Sequence, residues 1–205
     1  MDHIKNSASH HSHMSESEKS ENKIHHHHHK GRSSEKHLDR DIVLNALNIC
    51  SGQTILDAGC GSGYMSKEFS KLLNNTGKVY ALDPDRGVIE ILTQETKDTN
   101  IEAIVGDITR RTQIKDSSVD LIYLSTVFHG FSKDEMEGFQ TEVKRLLKPK
   151  AVLAIVEFKK IEAPFGPPLE IRYSPEELKK TIALTPKSFV EIGEFFYMQT
   201  FENIT

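Results

Sequence analysis

From Leu38 onward, short apolar runs alternate with segments of helical period, and this alternation constrains the fold more than any other feature of the chain. TILDA at 54–58, VYALD at 79–83, IEAIV at 101–105, VDLIYL at 119–124 and AVLAIVEF at 151–158 are too continuously apolar to be strands with one wet face. Around them, residues 39–49, 64–73, 85–96 and 133–147 carry apolar side chains three and four apart, the spacing of a helix with one buried face. Strands buried on both faces and joined through helices predict a doubly wound α/β fold. SPEELKKTIA at 174–183 adds a helix opened by Ser174, with Pro175 at the first helical position and Glu177 completing a capping box. The aromatic, β-prone end at 189–205 supplies the last strands.

Residues 1–36 differ in kind from the rest. Ser, Glu, Lys, Asn and His dominate there, nine of the eleven histidines included, so a disordered tail is expected ahead of a single domain at 37–205. The run at 25–29, with His10, His11 and His13, can take up Ni²⁺ or Zn²⁺ adventitiously as a flexible chelator, whether it is a native metal-buffering tail or an appended tag. No apolar run approaches the roughly 20 residues that cross a bilayer, and the first residues lack the apolar core of a secretory signal. A cytoplasmic location is therefore expected. Two cysteines, Cys50 and Cys60, do not make a disulfide scaffold. A net charge of -4 provides no field for a polyanion, so nucleic acid is not an expected partner.

Doubly wound sheets bind ligands outside the carboxyl ends of their strands, where strand order reverses. The first strand runs into Asp57-Ala58-Gly59-Cys60-Gly61-Ser62-Gly63. Read as a dinucleotide fingerprint from Gly59, the last glycine position falls on Tyr64, and no lysine follows to make a phosphate loop. Asp57 suits a cation better than a diphosphate. Strand two ends in Asp83, which can accept from the two hydroxyls of a ribose. Strand three runs into Gly106-Asp107, where a carboxylate can accept from an exocyclic amine. Together the three ends fit a nucleoside that bears positive charge.

This set resembles the class I S-adenosylmethionine-dependent methyltransferases, whose first motif is an acid followed by G-x-G-x-G, and the resemblance covers about residues 38–160. It implies a Rossmann-like, mostly parallel seven-stranded sheet ending in a hairpin that is shortened here, since only 189–205 remains for it. It also implies S-adenosylmethionine as cofactor: Asp57, Gly59, Gly61 and Gly63 around the methionine portion, Asp83 on the ribose, Pro84 on one adenine face, Asp107 with Ile108 at the amino edge, and Leu124 lining the site. Within the family, EFKK at 157–160 and GPPLEIRYSPEEL at 166–178 are similar to the ubiquinone and menaquinone biosynthesis enzymes. Where the family usually has a glycine pair, this chain has Lys150-Ala151.

The implied activity is in-line methyl transfer, which demands alignment of nucleophile and methyl more than acid-base chemistry. Strand four ends in Leu124-Ser125-Thr126-Val127 rather than the Asn/Asp-Pro-Pro-Tyr of amino-methylating DNA enzymes. No Pro-Cys pair supplies a cytosine-C5 nucleophile, and two cysteines do not suffice for arsenite. A small organic acceptor remains; the alternative is a non-catalytic S-adenosylmethionine-binding protein with a metal-binding histidine tail. His129 is either the base that deprotonates the acceptor or a loop histidine packed between Phe128 and Phe131. Glu157 either faces the substrate or pairs with a surface lysine, Tyr123 reads as strand core, and Phe165-Gly166-Pro167-Pro168 is either part of a lid or a connector.

Overall fold

A computed structural model describes residues 38–205, so the tail expected at 1–36 and its histidine run lie outside the described residues. The elements follow one another as α1 (Arg40–Leu47), β1 (Thr54–Ala58), α2 (Tyr64–Leu73), β2 (Lys78–Asp83), α3 (Arg86–Glu95), β3 (Ile101–Val105), β4 (Val119–Ser125), α4 (Lys133–Leu146), β5 (Leu147–Phe158), α5 (Pro175–Thr181), β6 (Thr185–Ile192) and β7 (Phe196–Glu202). The seven strands form one sheet in the order β3-β2-β1-β4-β5-β7-β6. β1 to β5 run parallel, and β7 is antiparallel to both of its neighbours. Strand order reverses between β1 and β4, which places the crevice of a doubly wound sheet at the glycine loop.

α1, α3, α4 and α5 begin where a side chain supplies an oxygen acceptor for their first N–H groups, whereas α2 opens on Gly63 without one. Asp39 accepts from Ile42 N, Asp85 from Gly87 N and Val88 N, and Ser132 and Ser174 each complete a capping box with Glu135 and Glu177. Alternation along β1 divides the core between two faces. Ile55 packs with Val43, Phe69 and Leu73 of α1 and α2, whereas Leu56 and Ala58 pack with Phe139, Val143 and Leu146 of α4 and Leu178 of α5. Ala81 in β2 meets Ile89 and Leu92 of α3. No helix of the described residues is long and apolar enough to cross a membrane.

The connection from β3 to β4 carries no α-helix and is held from outside by α4. Arg145, only 11% exposed at its side chain, binds Glu142 Oε1 at 2.5 Å, the carbonyls of Ile114 and Thr112, and Asp116. Glu142, 3% exposed, also accepts from Thr112 N at 2.8 Å and Thr112 Oγ1 at 2.7 Å. One buried ion pair thus fixes the loop that leads out of β3.

Two departures from the sequence pattern have physical causes. β5 opens at Leu147, opposite Val119, and the register then slips so that Val152 faces Leu121. The slip absorbs a bulge within β5 at Lys148-Pro149-Lys150, where Lys150 is left-handed at φ +65°. A side chain at such an angle costs about 1–2 kcal/mol that glycine avoids. Lys150→Gly is therefore expected to stabilise the protein by about 0.5–1 kcal/mol after glycine's greater loss of chain entropy, read as a rise of roughly 2 °C in the melting midpoint. β6 begins at Thr185 rather than 189, because the polar Thr185-Pro186-Lys187-Ser188 segment is a wet edge strand paired on one side only. Proline is admissible there.

Candidate active site

The glycine loop connects β1 to α2 with Gly59, Gly61 and Gly63 at φ +72°, +50° and +73°. The loop is self-satisfied: Gly59 N and Cys60 N donate to Leu82 O at 2.8 and 3.0 Å, Gly63 N to Cys60 O at 2.9 Å, and Gly61 N to Asp83 Oδ2 at 3.0 Å. Phosphate-binding loops leave such N–H groups pointing at the ligand. Here four of them are consumed inside the protein, and a diphosphate would find a carboxylate in its place. A Cβ on Gly59 would sit 2.8 Å from Val127 Cγ2 and one on Gly63 2.4 Å from Leu92 Cδ1, whereas a Cβ on Gly61 would meet nothing within 4 Å. The outer two glycines permit close packing, and the middle one borders open space.

The three strand-end aspartates are staggered by register. Asp57 lies level with Ala81, two residues before Asp83, and Asp83 lies level with Val105, two residues before Asp107. Steps of two keep Asp57 and Asp83 on one face of the sheet. Asp57 is 3% exposed and accepts a 2.5 Å bond from Ser66 Oγ in the first turn of α2, so it acts on a ligand mainly through its field. Asp83 is half-buried; Oδ2 takes Gly61 N and Oδ1 takes Asp85 N at 2.9 Å, which leaves each oxygen a second lone pair for a hydroxyl. Asp107 Oδ1 holds Thr109 N and Oγ1 at 2.8 and 2.7 Å, and Oδ2 lies 3.8 Å from Arg110 Nε. Pro84 is exposed beside Asp83. Ile108 and Leu124, 4% and 0% exposed, are packed into the core, and the half-buried residues at the end of β4 are Ser125, Thr126 and Val127. Cys60 is enclosed in the loop. Burial, reinforced by the charges of Asp57 and Asp83, pushes its thiol far up, so it stays protonated and is no nucleophile.

Beyond β4 the chain turns through Phe128–Gly130. His129 does not pack between Phe128 and Phe131. Those rings meet each other at 5.7 Å and both rest on Phe139, while the His129 ring turns the other way, edge-on to Phe158 at 6.1 Å. Its Nδ1 lies 2.8 Å from Glu157 Oε2 at the end of β5. Glu157 is 0% exposed, so the expected alternative of a surface lysine pair is replaced by a buried carboxylate-imidazole pair. Tyr123, 1% exposed and edge-on to Phe69 at 5.2 Å, belongs to the core as read.

Sequence reasoning gave no role to Arg172. This buried guanidinium, 5% exposed, donates to the carbonyls of Lys159, Ile161, Phe165 and Pro167 and lies over the Phe158 ring at 5.2 Å. The segment after β5 is thereby stapled beside the His129–Glu157 pair. Among the described residues, no group of three or more His, Cys, Asp or Glu side chains is placed to hold a metal ion.

Residues 55–150 match a methyltransferase domain family. Among solved structures, an S-adenosylmethionine-dependent methyltransferase from Aquifex aeolicus superposes with a TM-score of 0.75 at 28% identity, over 84% of this chain and 94% of that one. A type 11 methyltransferase fold from Sulfolobus solfataricus gives a TM-score of 0.63 at 22% identity, over 74% and 84% of the two chains. Demethylmenaquinone methyltransferase of Staphylococcus saprophyticus is 27% identical over 122 residues, 58% of this chain and 50% of that protein. A probable ribosomal RNA small subunit methyltransferase A of Pyrococcus furiosus is 38% identical over 71 residues, 33% of this chain and 25% of the relative. The chain thus spans a quarter to a half of the length of these two curated relatives.

Proposed function

We propose that this chain, which has the fold and a domain match of the class I S-adenosylmethionine-dependent methyltransferases, transfers the cofactor's methyl group to a small organic acceptor. The strongest single support is the glycine loop, whose N–H groups are spent internally while two acidic strand ends, Asp83 and Asp107, keep acceptor capacity at the same edge. That arrangement fits a cationic nucleoside and repels a diphosphate. In this reading Asp83 holds the ribose, Asp107 the adenine amine, and Gly61 gives the methionine portion room against the backbone. Asp57 contributes negative potential beside the loop. When bound, the cofactor supplies an activated methyl whose bond to sulfur breaks with the electron pair left on sulfur.

The acceptor would meet the methyl over the ends of β4 and β5, where Val127 packs on Gly59 and His129 follows two residues later. The likeness to a demethylmenaquinone enzyme and the absence of a strongly basic composition both favour a small molecule over RNA. Titration calorimetry with S-adenosylmethionine, S-adenosylhomocysteine and NAD tests the cofactor assignment: both adenosyl ligands should bind and NAD should not. Binding of NAD alone would overturn it. Labelled methyl offered to metabolite extracts and to ribosomal RNA tests the acceptor class, and label found only in RNA would refute the small-molecule reading.

A further inference from the structure

We propose that Glu157 is the positioning residue that holds His129 in its Nδ1–H tautomer, leaving Nε2 as the proton acceptor for a weakly acidic hydroxyl group on the methyl acceptor. The proposal rests on the methyl-transfer reading above and narrows its substrate class.

The tautomer follows from who donates to Glu157. Oε1 accepts from His129 N at 3.3 Å and Oε2 from Phe158 N at 3.3 Å, so both carboxylate oxygens already act as acceptors. The ring nitrogen 2.8 Å from Oε2 is then the donor, and in a neutral imidazole the lone pair is left on Nε2. Among the described residues Nε2 has no hydrogen-bond partner, and the side chain retains 11% exposure. Glu157 has none, and no lysine or arginine of the described residues forms an ion pair with it. Enclosing a carboxylate without a cation is costly, and a purely architectural site would be served by an amide or an apolar side chain. The imidazole is its one side-chain partner among those residues.

The same elements place the pair at the reacting edge. Thr126, a β-branched residue at φ +55°, is held in that costly conformation by its N–H bond to Val156 O at 2.8 Å. The strained residue swings Val127 onto Gly59 of the glycine loop and brings the next turn, with His129, against the end of β5. Tyr173 and Tyr197 adjoin Glu157 but do not compete as bases. Burial, with the charge of Glu157 adding to it, raises both hydroxyls and keeps them protonated; Tyr197 also donates to Tyr173 O at 2.8 Å.

An acceptor that carries no proton on its nucleophilic atom has no use for such a pair. A hydroxyl does. Nε2 takes its proton, the oxygen keeps the electron pair with which it bonds the methyl, and the imidazolium formed is stabilised by Glu157 until the proton passes to water. Phe158 beside the His129 ring, half-buried Phe165 edge-on to Phe158, and half-buried Tyr173 near Glu157 make the surroundings apolar, which suits a hydroxyl on a conjugated or aromatic ring.

Long-range ¹H–¹⁵N correlation of histidine-labelled full-length protein, with His129 identified by its loss in His129→Gln, reads the tautomer directly. The expected result is a protonated Nδ1 and a bare Nε2 in the wild type, and a mixed or inverted tautomer in Glu157→Gln. Glu157→Gln should keep S-adenosylhomocysteine affinity within about twofold by calorimetry. Labelled methyl is then offered to catechol and a hydroquinone, and in parallel to a tertiary amine and a thioether. Label should enter the hydroxyl compounds, with kcat about 100-fold lower in both Glu157→Gln and His129→Gln. An Nε2–H tautomer in the wild type, or an unchanged rate in Glu157→Gln, overturns the positioning role. Label in the proton-free acceptors alone, or in neither set, overturns the hydroxyl class. Loss of adenosyl-ligand binding by the wild type is a failure of the underlying methyltransferase reading, which the tautomer measurement does not share.

Discussion

Asp83→Ala is expected to weaken S-adenosylhomocysteine binding about 100-fold, equivalent to about 2.8 kcal/mol. Two effects add. In the proposed site the ribose loses the acceptor assigned to its two hydroxyls, and hydrogen bonds to a charged group contribute about 1.5–3 kcal/mol each. Gly61 N at the same time loses its 3.0 Å partner, so the glycine loop is no longer tied to β2 through its middle residue. Asp83→Asn separates the two. The amide keeps an acceptor oxygen but not the charge, so affinity should fall by an intermediate factor. Asp83 is half-buried at a strand end, so neither variant should shift the melting midpoint by more than a few degrees, and calorimetry then reports binding rather than unfolding. Unchanged affinity in Asp83→Ala would refute the assignment of this carboxylate to the ribose.

Arg145→Ala should cost about 3 kcal/mol of stability, because it strands Glu142 as a buried charge with only Thr112 to satisfy it. In a domain of this size that is a fall of about 9 °C in melting midpoint. The effect carries its own pH signature. Burial pushes the Glu142 carboxyl up, but the Arg145 guanidinium and the Thr112 bonds outweigh it and hold the folded value below the ordinary carboxylate range. A depressed folded value contributes stability above the unfolded value, about 4.3, and loses it as pH falls through the folded one. The gap between wild type and Arg145→Ala should therefore narrow as pH is lowered below about 4, where a protonated Glu142 no longer needs its partner. A gap that stays constant from pH 7 to pH 3 would assign the loss to packing of the arginine stem.

What the sequence made legible follows from how local each signal is. β1 begins and ends where its apolar run does, because a strand buried on both faces needs no partner to be recognised. β3 keeps the bounds of its run but not the burial expected of it: it is the edge strand of the sheet, and Glu102 and Val105 are exposed. The start of β6 was hidden, since an exposed edge strand opening Thr185-Pro186-Lys187-Ser188 has neither alternation nor apolar continuity. The three aspartates stood out in the sequence because each lies within two residues of the end of an apolar run. The fate of Glu157 was not, since its partner lies 28 residues earlier and the meeting depends on β4 and β5 being neighbours in the sheet. Arg172 left no signal at all, because its partners are backbone carbonyls, which every residue possesses.

That last point bears on how this fold can diversify. The path of residues 159–167 is fixed by a guanidinium that grips main-chain oxygens, so the grip is indifferent to which side chains those positions carry. Outward-facing residues there can be exchanged without loosening the segment, provided Arg172 is kept and Gly166, at φ +95° with Phe158 2.5 Å from any added Cβ, stays glycine. The segment is thus a fixed track for variable side chains beside the edge proposed for the acceptor, and on that proposal a library built on it is expected to vary substrate preference while leaving the glycine loop untouched.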